Sequence, residues 1–332
     1  MSTIHGKVSE IARDIAEMKI RGAGNIARHA AQALVTTARN SNAKKSSDLL
    51  ADLESAAKLL LKTRPTAVSL PNSIRYVMSR THTGHEQHLK LEDLRKLVID
   101  TGNAFIENSA KAVERIGEIG ARRIEDGDSI MTHCNSAAVT AILTTAFKQG
   151  RSFNVFVCET RPRYQGRITA QELSQAGIPT SLIVDSAAHS FMTKMDKAIV
   201  GADTIAANGA VVNKIGTSMV ALAAHESRVL FFVAAETYKF SPETMLGQLV
   251  QIEERGTSEV ISNKDRATMP HIIVRNPAFD ITPPHHIDLI ITEKGIISPQ
   301  AAITIIQQEF GSARTDELMK YQTNRSTDGK EF

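Results

Sequence analysis

The sequence predicts an α/β protein, with a helical N-terminal domain over residues 1–125 followed by a Rossmann-like, mostly parallel sheet domain over 126–332. Three observations carry that reading. Apolar residues recur at helical spacing up to about residue 125. Beyond it the pattern changes to short β-rich runs separated by segments of helix length, the signature of βαβ units. Finally, those runs are followed closely by polar residues, and in open α/β sheets ligands bind outside the carboxyl ends of the strands.

In chain order, Ile4, Val8, Ile11, Ile15 and Met18 recur at alternating spacings of four and three, one face of a helix. Leu49, Leu53, Ala56 and Leu60 repeat the pattern. The polar, His-bearing stretch from Ser79 to Lys90 is expected to interrupt it, and Leu91 to Ile124 to restore it as one long helix. The turn-forming Glu125–Asp128 then introduces the runs SIMTHC, FNVFVCE, TSLIVDS, KAIVGAD, RVLFFVAA and IDLIITE. Their polar ends are Cys134, Glu159, Asp185, Asp203, Glu236 and Glu293. Within "VGADTIAANGAVVNKIGT", Asn208-Gly209 is the turn of a hairpin that returns Asn213 and Lys214 towards a strand end.

Composition excludes several classes of function. The 332 residues are 42% hydrophobic and 23% charged, an ordinary globular balance that supports a full core. Lys and Arg number 39 against 36 Asp and Glu, with no basic block or acidic tail, so neither nucleic acid nor membrane is the expected partner. Two cysteines, Cys134 and Cys158, make no disulfide framework, and no His/Cys cluster has zinc spacing. No apolar leader and no spanning run of about 18 residues is present, so the expected location is the cytoplasm.

Four stretches bear chemistry. Arg21-Gly22-Ala23-Gly24 has glycine spacing like that of a dinucleotide fingerprint, but a helix precedes it rather than a strand, which argues against a nicotinamide cofactor. It is either a helix-to-helix turn or a phosphate nest, with backbone N–H groups and Arg21 facing an anion. Arg64, held extended by Pro65, is either a solvated helix-end cation or a second anion contact. Cys134 lies between a strand end and a helix start; it is either an inert buried thiol or one whose pKa the helix dipole lowers. Asp203 follows the apolar Ile199, Val200 and Ala202, a setting that raises a carboxyl pKa and favours the neutral acid.

Taken together, "IRGAGNIA", "TRPTAVSLPN", "IMTHCNS", "ETRPRYQG", "VGADTIAANGAVVNKIGT", "AAETYKF" and "NPAFDITPP" closely resemble the family that joins the regulatory subunits of translation initiation factor 2B with sugar-phosphate isomerases. The resemblance implies isomerisation of α-D-ribose 1,5-bisphosphate to D-ribulose 1,5-bisphosphate in nucleoside monophosphate breakdown, without cofactor or metal, by a homodimer or a homohexamer of three dimers. It implies Cys134 and Asp203 as the catalytic pair. It also implies substrate contacts at Arg21, Gly22, Ala23, Gly24, Arg64, Ser136, Ala137, Ala138, Gln165, Asn213, Lys214 and Lys239, those at 136–138 made through the backbone. Arg161 and Arg163 are additional cations for a doubly phosphorylated sugar. Methylthioribose-1-phosphate isomerisation and a non-catalytic regulatory subunit are the two competing readings. Lys239→Ala is expected to raise KM far more than it lowers stability.

Overall fold

A computed structural model describes residues 5–17, 19–20, 22–63 and 68–310. The chain divides into two compact units, the second running from Ala112 to Gln308 and the first taking the chain up to Lys111 together with Glu309 onward.

The first unit is helical: α1 (Gly6–Ala16), α2 (Ala23–Asn40), α3 (Ser46–Leu61), α4 (Ser69–Glu86) and the start of α5 (Leu91–Ala121). Helix α2 packs on α1, α3 and α4. The spacing-derived stripe of α1 is inside at Val8 and Ile15, while Ile4 and Met18 lie outside the described residues. Leu34, Leu49, Leu53, Leu60, Leu70, Ile74, Met78 and Leu94 are fully buried. The expected interruption at Ser79 comes later, because α4 continues to Glu86 and the chain turns at His88 with φ +58°. Helix-compatible contacts sustain the polar stretch. The buried Thr81 hydroxyl donates to the Val77 carbonyl at 2.9 Å, and Arg80 stacks 3.8 Å over Tyr76.

The second unit alternates strand and helix. Its elements are β1 (Ser129–His133), α6 (Ala137–Lys148), β2 (Asn154–Cys158), α7 (Gln165–Gln175), β3 (Thr180–Ile183), α8 (Ala188–Met192), β4 (Lys197–Gly201), β5 (Thr204–Ile205), β6 (Val211–Lys214) and α9 (Thr217–Ser227). There follow β7 (Leu230–Ala234), α10 (Asn263–Ala267), β8 (Phe279–Thr282), β9 (Leu289–Thr292), β10 (Gly295–Ile297) and α11 (Ala302–Phe310). Among the described residues the main sheet has seven strands in the order β10-β9-β7-β4-β1-β2-β3, parallel except for β10. Each predicted run supplies one of its six parallel strands. Order reverses between β1 and β4, the switch point at which such sheets open a crevice. A second sheet, β5-β6-β8, holds the hairpin, whose turn has Gly209 at φ +83° and Asn208 Oδ1 accepting the Ala210 N–H.

The core of this unit includes Ile130, Ile142, Leu143, Val155, Val157, Ile199 and Phe232, and also Ile116 and Ala121 from the last turns of α5. At the amino end of the strands, Lys197 and Asp128 form a buried ion pair at 2.6 Å. Among the described residues no helix is long and apolar enough to cross a membrane.

Candidate active site at the switch point

The registers Ile130↔Lys197 and Met131↔Ala198 carry β1 and β4 upward side by side, so Cys134 and Gly201 leave the sheet at the same level. Ser136 then caps α6 through Val139 N and leans on β4. A Cβ on Gly201 would stand 2.6 Å from Ser136 Oγ, so this approach requires glycine. Ala137 and Ala138 form the first turn of α6. Cys134 has φ +69°, which turns it out of the strand and buries its side chain to 8% exposure.

The hairpin brings the next residues. Asp203 starts it, its N–H donating to Val212 O at 3.0 Å, and is half-buried. On the returning β6, Asn213 is buried and donates to Thr217 Oγ1 at 3.0 Å. Lys214 is buried beside it, with Nζ 3.1 Å from the Ala278 carbonyl and 4.6 Å from the centre of the Phe279 ring. Both Asp203 and Lys214 act electrostatically on the Cys134 sulfur.

The ionisation of Cys134 corrects the sequence-based expectation. Burial pushes the thiol up to about 11; Lys214 and the Asn135 N–H draw it down, while the Asp203 charge pushes it further up. Helix α6 begins only at Ala137, so its dipole does not outweigh burial. The unliganded protein therefore holds a neutral thiol at pH 7. Burial likewise lowers the pKa of Lys214, opposed by its negatively charged neighbours and reinforced by Arg255.

Arg255 and Glu253 are the residues sequence reasoning missed. Both act on Lys214, and Arg255 also acts on Cys134. They arrive through backbone pairing of Arg255 N with Asn276 O (2.9 Å) and of Ala278 N with Glu253 O (2.8 Å). Asp280, next along β8, receives the Gly216 N–H at 2.8 Å and the Ser218 N–H at 3.1 Å at the start of α9. Burial raises its carboxyl to about 6 against those two hydrogen bonds.

Lys239 lies beside the hairpin, since Phe240 bridges Ile205 and the Ser241 N–H donates to Ile205 O. Its ammonium is buried and ion-paired with Glu236 at 2.6 Å. Burial works against the Glu236 charge, and Lys239 with the Tyr238 hydroxyl overcomes it, holding the carboxyl below its ordinary range. Gln165 opens α7 one turn before Thr169, whose hydroxyl donates to the Cys134 carbonyl at 2.9 Å. Arg163 pairs with Glu259 at 2.8 Å, and Arg161 lies over Tyr164.

Beneath Cys134, His133, Cys158 and Asp185 place one ligand-type atom each within 4.8 Å of one another. His133 Nε2 donates to the Ile215 carbonyl at 2.8 Å, and burial lowers its pKa, so the ring is neutral. Asp185 spends both oxygens on the Thr160 and Arg161 N–H groups, each at 2.7 Å, which fits a structural brace better than a metal ligand. In the first unit, Gly22 is the N-cap of α2 at φ +83° with no side-chain cap, and Ala23 and Gly24 lie in the first turn. Arg21 and Arg64 lie outside the described residues.

Residues 19–299 match the initiation factor 2 subunit family. The chain belongs to that family. Within the initiation factor 2 subunit family, it is 56% identical to a ribose 1,5-bisphosphate isomerase of Pyrococcus furiosus over 92% of this chain and 95% of that one. Among solved structures, a translation initiation factor eIF-2B from Pyrococcus horikoshii aligns with a TM-score of 0.74 at 33% identity, covering 90% of this chain and 99% of that one. A 5-methylthioribose 1-phosphate isomerase from the same organism aligns at 0.71 and 32%, covering 91% and 87%.

Proposed function

We propose that the protein converts α-D-ribose 1,5-bisphosphate to D-ribulose 1,5-bisphosphate. The carrying observation is the meeting of Cys134, Asp203 and Lys214 at the sheet's switch point, in a chain so similar to the isomerase of Pyrococcus furiosus. The substrate carries about four negative charges near neutral pH, given a second phosphate pKa of about 6. Lys214, Lys239 and Arg255 are the cations for it, joined by Arg21 and Arg64, with Gln165, Asn213 and the backbone at Gly22–Gly24 and 136–138 completing the binding set.

A ribose esterified at C1 has no free aldehyde, so the ring must open first. Cys134 and Asp203 share one proton in this reading. Its transfer from sulfur to carboxyl creates the thiolate and the acid that the reaction needs. Asp203 then protonates the ring oxygen as the C1–O bond breaks, and the Cys134 thiolate removes the C2 proton to give the C1–C2 enol. Cys134 returns that proton to C1 while Asp203 takes the proton of the C2 hydroxyl, leaving the ketone with the thiolate and the acid restored; return of the Asp203 proton to sulfur then regenerates the resting pair. No cofactor enters this cycle.

The working form in this proposal is a homodimer or a hexamer of three dimers in the cytoplasm. The test couples purified protein, ribose 1,5-bisphosphate and Rubisco, and follows fixation of labelled carbonate. Fixation that disappears in Cys134→Ser and Asp203→Asn supports the proposal. Turnover of methylthioribose 1-phosphate alone assigns the sister activity, and turnover of neither assigns a regulatory subunit.

A further inference from the structure

A catalytic base must be held still, yet Cys134 has a left-handed backbone, φ +69°, that costs a residue with a Cβ about 1–2 kcal/mol. Two hydroxyls hold it there. Thr160 Oγ1 accepts the Cys134 N–H at 2.8 Å and donates its own proton to Cys158 O at 3.0 Å. Thr169 Oγ1 donates to the Cys134 carbonyl at 2.9 Å and accepts from Asn135 Nδ2 at 3.0 Å. Both threonines are buried, at 0% and 1% exposure, so water does not readily replace them.

The clamp is itself braced. Thr160 also has a left-handed backbone, φ +63°, and Asp185 takes its N–H and that of Arg161. The start of α7 is pressed onto β2, since a Cβ on Gly166 would stand 1.7 Å from Cys158 O and 3.0 Å from Thr160 Oγ1. The peptide groups on both sides of the Cys134 Cα are thus tied to one rigid corner. Fixing φ and ψ fixes the Cα–Cβ direction and with it the arc on which Sγ moves.

We propose that Thr160 and Thr169 are positioning residues that hold the Cys134 sulfur on the C2 proton through its backbone. This rests on the reading of Cys134 as the base. A displacement of about 1 Å at a reacting atom lowers a rate by about 100-fold. Both hydroxyls are buried and already bonded to the Cys134 backbone and its neighbours, so their loss is expected to act on kcat and leave KM nearly unchanged.

The test compares wild type with Thr169→Val, which keeps shape and loses the hydroxyl, and Thr169→Ser, which keeps the hydroxyl. On the coupled assay kcat falls about 10- to 100-fold in Thr169→Val with KM within about twofold. The isotope effect from deuterium at C2 rises, and Thr169→Ser restores most of the rate. An unchanged kcat, a KM that rises in step, or failure of serine to rescue overturns the proposal. Thr160→Val and Thr160→Ser form an independent pair read the same way, in case Thr169→Val does not fold. Alkylation of Cys134 by iodoacetamide at pH 9 needs no turnover: its rate changes at least threefold in the valine variant and recovers in the serine variant. An inactive wild type defeats the functional reading alone, whereas an alkylation rate indifferent to the hydroxyl defeats the clamp alone.

Discussion

The ionisation of Cys134 is open to direct measurement. With the thiol at about 11, about 0.1% is thiolate at pH 8, against about a quarter for an unperturbed thiol of pKa about 8.5. Thiolate supply alone then slows reaction with neutral iodoacetamide about 200-fold. Partial burial slows it further by a factor that does not depend on pH, so the shape of the pH profile isolates ionisation. The assay follows the mass-shifted Cys134 peptide over pH 7 to 10.5. Cys158, pushed up by burial to about 12, serves as an internal control that lags behind. The expected log rate climbs with slope close to one up to about pH 10 and begins to bend only above it. Lys214→Met removes a charge that stabilises the thiolate and shifts the profile to higher pH, while Asp203→Asn removes an opposing charge and shifts it to lower pH. A plateau beginning below pH 9 in the wild type would refute the reasoning, because it would mean that burial does not govern this sulfur. The same electrostatics bear on turnover. On the proposed function, the substrate's phosphate charge would raise the thiol pKa further, so the base would arise by proton exchange inside the complex.

Three more expectations follow from the site. The sequence-based view of Lys239→Ala as mainly a KM variant changes, because the substitution strands the buried Glu236 carboxylate. Denaturant unfolding should show a loss of about 3–5 kcal/mol, and Glu236→Gln with Lys239→Met should recover most of it without recovering substrate affinity. Asp280 titrates near 6 when folded and about 4 when unfolded, so its contribution to stability is full below about pH 4 and lost as pH rises through 6. The stability of wild type relative to Asp280→Asn should therefore fall between pH 4 and pH 7, and a flat difference counts against that burial. Arg255→Gln should raise KM for the bisphosphate about tenfold, equivalent to about 1.4 kcal/mol, with little change in the thermal midpoint; an unaltered KM removes Arg255 from the site.

Much of this arrangement is legible in the sequence, for physical reasons. Five of the six β-rich runs are legible because buried parallel strands need continuous apolar stretches, the edge strand β3 being largely exposed, and the polar residue after each run marks where the sheet ends. The hairpin at Asn208-Gly209 is legible because its turn has specific residue needs. Contributions that depend on tertiary contact are not. Arg255 reaches Lys214 only through pairing with residues 276–278, and no local pattern announces it. The sequence leaves the direction of the Cys134 shift open between helix start and burial, because the helix start is a local feature and burial is not; burial decides it. Helix α4 outlasts its apolar stripe, with the buried Thr81 hydroxyl satisfied on its own backbone, a compatibility that the polar sequence does not announce. The glycine-flanked start of α2 is present as a backbone geometry, and Arg21 and Arg64 fall outside the described residues.

Helix α5 runs unbroken from Leu91 to Ala121 across the border at Lys111–Ala112. The polypeptide therefore has no seam at which to be cut. A fragment beginning at Ala112 would start inside a severed helix, and one beginning at Asp126 would leave a void where Ile116, Ala121 and Ile124 had filled the floor under the sheet. Truncation would produce two damaged pieces, not two modules, and any attempt to graft the sheet-bearing half onto another scaffold must carry the rod along with it.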